Sequence, residues 1–292
     1  MPAAWQRDVV TTGSAAMQDV LIRAQTLARW DESVETAARI AASFRGNLTG
    51  LHVVPLGLPP VTPYDPGLLA AAAALEARRQ VQEAEGYADR FRAWALQMGA
   101  ANPVWLASTG DAAAALEYVA GWHDLLVTRL DEGDDDPSAN ASGVGRIVVT
   151  TRLPTLVLPA ACGVEEDFPT VAVAWNDSPG AARAIHAARP FLQRAERVVV
   201  LSGCRQTPQL RPAFRLQDWL QRHVPNAEVV DLGDIGDGGS QTGARLLDAA
   251  DRENANLLVM GAYGHSRFSE WVLGGVTRHV LQCTNRPVLM RH

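Results

Sequence analysis

The sequence predicts two consecutive doubly wound α/β units, each an open sheet with helices on both faces. Three observations lead there. A chain of 292 residues, at roughly 150 residues per domain, accommodates two domains. The second half repeats the first: residues 124–128 match 256–260, and residues 153–159 match 286–290. Asp124 precedes Pro154 by 30 positions, and Asn256 precedes Pro287 by 31. Finally, apolar strand-like runs alternate with segments of helical periodicity, which implies right-handed βαβ crossovers and a parallel sheet. The runs 198–201 and 257–260 are continuously apolar, as strands covered on both faces require.

Each element follows from local pattern. In the first half, residues 19–25 read as a strand, 29–33 as a polar break, 34–44 as a helix and 47–55 as a second strand. Residues 67–98 read as one long Ala-rich helix, 124–128 as a strand, and 155–158 as a closing strand. The second half gives a strand at 170–174, a break at 176–180, a helix at 181–192 and a strand at 197–201. Residues 211–223 are a shorter counterpart of the long helix, 257–260 a strand, and 287–290 the last strand. Residues 160–167 hold small residues, a glycine and three acids, as a linker would, so the units are read as 1–163 and 164–292. Each closing strand, alone at a sheet edge, would leave backbone groups unpaired. Pairing 155–158 with 287–290 gives an intramolecular pseudo-twofold pair. The chain is then a compact monomer or a homodimer through other surfaces.

Composition narrows the function. The net charge is −6 and all 26 cations are arginines. A nucleic-acid partner is disfavoured, and a Walker lysine or Schiff-base lysine is excluded. Cys162, Cys204 and Cys283 share no metal spacing and read as reduced thiols. Residues 1–16 lack a secretory pattern, and the longest apolar run, 68–75, is too short for a bilayer. The expectation is a cytoplasmic protein with no membrane contact. His52, His123, His186, His223, His279 and His292 are scattered without metal spacing, and no nucleophile elbow occurs.

Ligands of open α/β sheets sit beyond the carboxyl ends of strands, at the switch point. The loops after Ala174, Leu201 and Met260 are therefore the candidates. After Met260 the chain places Gly261, Gly264, Gly274 and Gly275, then a helix-like stretch from Val276. Glycines let backbone N–H groups approach an anion, and a helix N-terminus adds donors and partial positive charge. His265, Arg267 and Arg278 could supply further charge. The alternative is a tight turn and a plain helix entry.

The spacing Gly-x2-Gly-x9-Gly, with Val276 after it, resembles the ATP-binding motif of universal stress proteins. Asn176 to Ser178 after the first strand, and Arg286 to Met290 at the end, extend the resemblance over the second half. The first half follows the outline without the intact loop, so the whole resembles a tandem universal stress protein. The resemblance implies Rossmann-like domains, related to the adenine nucleotide alpha hydrolases, that bind ATP or a related adenine nucleotide, with or without Mg²⁺. It implies that Gly261, Gly264, Gly274, Gly275 and Val276 meet phosphates and ribose. It further implies that Met260 lines the ribose side, Thr277 the phosphate rim, and Asn176 the adenine.

Two positions depart from the family pattern. Gly275 replaces a Ser or Thr, removing a hydroxyl donor; Asn176 replaces an Asp. On this reading Gly275→Ser tightens ATP binding and Gly261→Val abolishes it. In the first half, residues 128–136 lack the first glycine pair and carry five carboxylates, and only Ser142, Gly143 and Val144 match Gly274, Gly275 and Val276. A solvated acidic loop without a nucleotide is expected there; the spacing is not that of an EF-hand. The stretch 233–243 reads as a loop with Ser240 or Thr242 as a helix cap. Trp175 and Trp271 flank the proposed site in sequence and read as core or lid packing, with packing on the base as the alternative. The expected function is nucleotide-binding regulation of a stress response, with no enzymatic turnover beyond weak ATP hydrolysis. The alternative is an interaction scaffold that binds no nucleotide. An adenylating enzyme is weaker, because its signatures are absent.

Overall fold

The computed structural model describes residues 17–27, 29–55, 66–131, 136–164, 166–203, 216–233, 239–262 and 274–292. The first half runs β1 (Asp19–Arg23), α1 (Glu32–Ser43), β2 (Asn47–Val54), α2 (Pro66–Glu85), α3 (Ala88–Gln97), β3 (Ala101–Thr109), α4 (Ala112–Ala120), β4 (Leu125–Arg129), α5 (Ala141–Thr151) and β5 (Thr155–Leu158). The second runs β6 (Thr170–Trp175), α6 (Pro179–Ala187), α7 (Arg189–Leu192), β7 (Arg197–Ser202), α8 (Leu216–His223), β8 (Ala227–Asp231), α9 (Gly239–Arg252), β9 (Leu257–Gly261), α10 (Gly275–Cys283) and β10 (Val288–Arg291).

All ten strands form one sheet in the order β3-β2-β1-β4-β5-β10-β9-β6-β7-β8. Each half is parallel and doubly wound, reversing direction between β1 and β4 and between β6 and β9. The halves join where β10 runs antiparallel to β5, with Val288 opposite Val157, Leu289 opposite Leu156 and Met290 opposite Thr155. The expected pseudo-twofold pairing of the closing strands is therefore present within one chain. All six residues are fully buried. Leu156 and Leu289 share one core with α1, Phe168 and Phe191, while Val157, Val288 and Met290 share the other with Val144 and Val148 of α5 and Val280 and Leu281 of α10. The Arg194 guanidinium lies 3.5 Å from the Phe44 ring centroid and donates to the Ser43 carbonyl at 2.8 Å. Both faces of the seam are thus closed by side chains from both halves.

Local chemistry sets the helix starts. Asp31 caps α1 by accepting from the Ser33 and Val34 amides, and Ser178 caps α6 by accepting from the Ala181 amide. Pro179 then occupies the first turn, where no amide is needed, so the helix starts before the expected Ala181. Pro190 lacks the amide needed to continue the ladder, and the expected helix over 181–192 divides into α6 and α7. The long helix expected over 67–98 also divides, at Gly86 and Tyr87. The break turns Phe91 and Trp94 onto Trp30 and Trp105, with Phe91 and Trp105 ring centroids 4.9 Å apart. This cluster sits on Gly50, where a Cβ would lie 2.6 Å from the Trp105 ring. The second half has no such cluster among its described residues. Among the described residues no helix is long and apolar enough to cross a membrane.

Candidate functional site

The second half reverses its sheet between β6 and β9, and the expected site residues gather around those two strand ends. Val173 stands opposite Val259 in the register, so Ala174 and Met260 are the next residues on the two strands. Met260 is 4% exposed and packs in the core rather than at an open surface. Trp175 ends β6 and is also buried. Asn176 is exposed, and its Oδ1 accepts from the Ser178 hydroxyl at 2.6 Å. A cleft of about 340 Å³ is lined by Trp175 and Ser202 at the ends of β6 and β7, Val229 in the middle of β8, and Leu216 and Gln217 at the start of α8.

Gly261 ends β9 against the first turn of α6. A Cβ there would lie 2.6 Å from the Gly180 carbonyl carbon and 2.7 Å from the Ala181 amide nitrogen. Backbone packing alone thus demands glycine at 261. Gly261→Val therefore does not report on a ligand alone: the side chain also meets the α6 backbone and destabilises the fold with no nucleotide present.

The start of α10 differs from those of α1, α5 and α6, which Asp31, Asn140 and Ser178 cap. Gly274 is the N-cap, with φ −55° and ψ 140°, and no side chain among the described residues caps the helix. The Arg278 amide makes the first intrahelical bond, to the Gly274 carbonyl at 3.0 Å. The Gly275, Val276 and Thr277 amides have no intrahelical acceptor, as in any helix first turn. A Cβ on Gly274 would meet nothing within 4 Å. Arg278 is exposed, Val276 half-buried, and Thr277 only 3% exposed, so the Thr277 side chain packs inward instead of standing at a rim.

Gly275 has a packing role that its place in the motif hides. A Cβ on Gly275 would lie 2.8 Å from the Gly239 Cα, and one on Gly239 would lie 2.6 Å from the Gly275 Cα. One turn further on, a Cβ on Gly243 would lie 2.9 Å from the His279 Cβ. Helices α9 and α10 therefore cross with backbone against backbone at their starts. The expected gain from Gly275→Ser is corrected: the new side chain meets the Gly239 backbone. Because α9 already begins at Gly239, Ser240 and Thr242 lie inside its first turns and not at a cap. Gly264, His265, Arg267 and Trp271 lie outside the described residues.

The first half builds the same corner differently. Its α5 is capped by Asn140, whose Oδ1 accepts from the Ser142 amide at 3.0 Å and the Gly143 amide at 2.9 Å. Pro137 and Ser138 press on that helix start, since a Cβ on Gly143 would overlap the Pro137 oxygen and the Ser138 Cα. Asp136, expected in a solvated acidic loop, instead accepts from the Arg23 guanidinium, which is 4% exposed at the end of β1. Residues 132–135 lie outside the described residues. Sequence reading missed Arg23, Asn140 and Gly239. A charged residue inside the apolar run 19–23 was the available signal for the first, and the pairing of Gly238-Gly239 with Gly274-Gly275 for the last.

His52, behind Arg23, sits with its Nδ1 2.8 Å from the Ala24 carbonyl, and burial pushes its pKa down. Among the described residues no group of three or more His, Cys, Asp or Glu is placed to hold a metal ion. Cys162 and Cys283 form no disulfide.

Fold and corner together define a tandem of doubly wound α/β units whose two switch points are built differently, one plugged and one opening on an uncapped helix. Residues 168–292 match the model of the universal stress protein family. No curated protein matches the chain. Over nearly its whole length the chain is similar to a universal stress protein from Archaeoglobus fulgidus DSM 4304, at 14% identity, TM-score 0.60, with 93% of this chain and 95% of that one covered. A protein of unknown function from Pseudomonas aeruginosa PAO1 is similar at 13% identity and TM-score 0.56, covering 95% and 92%. These two likenesses describe the fold, tandem halves included.

Proposed function

We propose that the second half binds one adenine nucleotide per chain, ATP or a close relative, and that the protein acts as a ligand-dependent regulator and not as an enzyme. The observation that carries this reading is the start of α10: an uncapped glycine N-terminus beyond the carboxyl ends of β6 and β9, where a doubly wound sheet receives ligands. Its first-turn amides and helix dipole suit phosphates. The cleft lined by Trp175, Ser202 and Gln217 suits a planar base with polar edges. Gly274 lets the phosphate chain approach the backbone, and Arg278 adds exposed positive charge. The match of residues 168–292 to that family model supports the same ligand class. Nothing described at this corner is placed as a general base, so binding without turnover is the simpler mechanism.

The alternative, an interaction scaffold without nucleotide, draws support from one observation: the Gly239 contact replaces the hydroxyl donor usual at position 275. Mass spectrometry of the full chain, denatured directly after purification, separates the two. Co-purified adenine nucleotide near one per chain is the expected result. Its absence, with no calorimetric binding of ATP, ADP or AMP, would leave the scaffold.

A further inference from the structure

The switch point of the first half lies between β1 and β4, and two polar residues stand in it. The register pairs Ile22 with Val127, which brings Arg23 and Thr128 side by side as the next residues. Strand alternation puts both on the side of Leu21 and Leu126, which pack with Ile147 of α5. Arg23 is 4% exposed and Thr128 is fully buried. The matching pair in the second half, Ala174 and Met260, is apolar. The fold therefore does not need a cation or a hydroxyl here, and burying either is costly without partners. Arg23 finds its partners in the chain itself: it donates to the Asp136 carboxylate, to the Ser138 carbonyl at 3.2 Å and to the Ser138 hydroxyl at 2.5 Å. The Thr128 hydroxyl has no hydrogen-bond partner among the described residues.

We propose that the first half keeps an anion site of its own at this switch point, suited to a phosphate group, and that Asp136 closes it as an internal competitor. Arg23 is the anchor, because a guanidinium offers a fork of donors that fits a phosphate as well as a carboxylate. Thr128 is the orphan donor that a tetrahedral anion would satisfy and a planar carboxylate does not. The segment 136–138 is held in place by the same contacts that fill the site. Asp136 also accepts from the Ser138 amide at 3.0 Å, and the segment lies across the start of α5 at Gly143. The first half is then self-closed, and an external phosphate ligand binds only by displacing Asp136. The inference stands apart from the reading of the second half, which uses none of these residues.

The test uses the full chain and inorganic phosphate at constant ionic strength, read as thermal melting. Asp136→Ala leaves the buried guanidinium unpaired and should lower Tm by roughly 6 °C or more. Phosphate should return at least half of that loss, at concentrations that shift the wild type by no more than about 1 °C. The wild type carries the second-half site unchanged and is the baseline for phosphate binding there. The double variant Arg23→Met/Asp136→Leu removes both charges; it should melt near the wild type and show only the baseline response. Three results overturn the proposal: no phosphate effect on Asp136→Ala beyond the baseline, recovery by formate but not phosphate, or a variant that stays unfolded in phosphate. Each would reduce Asp136 to a structural ion-pair partner.

Discussion

Helices α5 and α10 start at equivalent corners of the two halves, yet one start is filled and the other is open. At α5, Asn140 satisfies two first-turn amides, Pro137 and Ser138 cover the backbone, and Asp136 neutralises Arg23. At α10, no side chain among the described residues caps the helix, and a Cβ on Gly274 would meet no described residue within 4 Å. The strands beneath are nearly superimposable in pattern, with the same order and the same reversal. The lesson is that a duplicated sheet can carry two fates at its switch point, decided by a handful of residues that leave the core alone. A second lesson concerns glycine. Gly261 and Gly275 belong to a recognisable binding motif, but each is also required by a backbone contact that any ligand-free fold would need.

The comparison is broken most completely at the seam. Leu289 is fully buried opposite Leu156, and its side chain belongs to the core that spans both halves. Leu289→Asp places an uncompensated carboxylate there and should destabilise the chain by about 3–5 kcal/mol. Chemical denaturation checks the loss, and small-angle scattering checks whether the halves separate. A chain of unchanged radius and stability would mean that the shared sheet does not hold the halves together.

Next come the two glycines. Gly261→Val pushes a branched side chain into the Gly180 backbone, and Gly275→Ser pushes one into Gly239. Overpacking of this kind costs about 1–3 kcal/mol, with valine at the upper end. Both losses should appear in nucleotide-free protein. If Gly275→Ser instead keeps full stability and tightens ATP binding, the Gly239 contact is not the reason for glycine at that position.

A smaller effect distinguishes the halves by pH. Burial acts to raise the Asp136 pKa, but the Ser138 hydroxyl and amide and the Arg23 charge outweigh it and hold the carboxyl below its ordinary value. Burial also pulls the Arg23 guanidinium down, yet an arginine stays charged at any pH the fold survives, so the titration is that of Asp136. A carboxyl depressed by folding contributes stability that is full above its unfolded pKa of about 3.9 and is lost as pH falls through the folded value. Wild type and Asp136→Asn should therefore differ most near neutral pH and converge in acid. His52, lowered by burial, adds a separate slope: stability declines as pH falls below its unfolded pKa of about 6.5. A denaturation series across pH, with the variant alongside, checks both slopes.

Much of this was legible in the sequence, for physical reasons. Continuous apolar runs and the internal repeat set the two doubly wound halves, because doubly covered strands tolerate little else. The closing strands announced the seam, since an apolar edge needs a partner. The glycine loop pointed to the corner at the end of β9, where the proposed site lies. What stayed hidden depended on contacts between distant residues. The meeting of Gly239 with Gly275, and of Arg23 with Asp136 across 113 positions, is set by helix crossing and loop path, which periodicity does not encode. The break at Gly86 followed the aromatic cluster around Trp30, again a tertiary demand overriding local helix propensity.

Gly274 is the position where fold and ligand can be separated. A Cβ there would meet no described residue within 4 Å and its φ is ordinary, so Gly274→Val should cost no more than about 1 kcal/mol as a poorer N-cap. The same side chain would stand where phosphates approach the α10 amides. Calorimetric titration of full-length wild type and Gly274→Val with ATP is the direct measurement. The account predicts one site per wild-type chain and an affinity at least about tenfold weaker in the variant, the loss of a charge-assisted hydrogen bond. Equal affinity in a stably folded Gly274→Val, or two sites in the wild type, would contradict it.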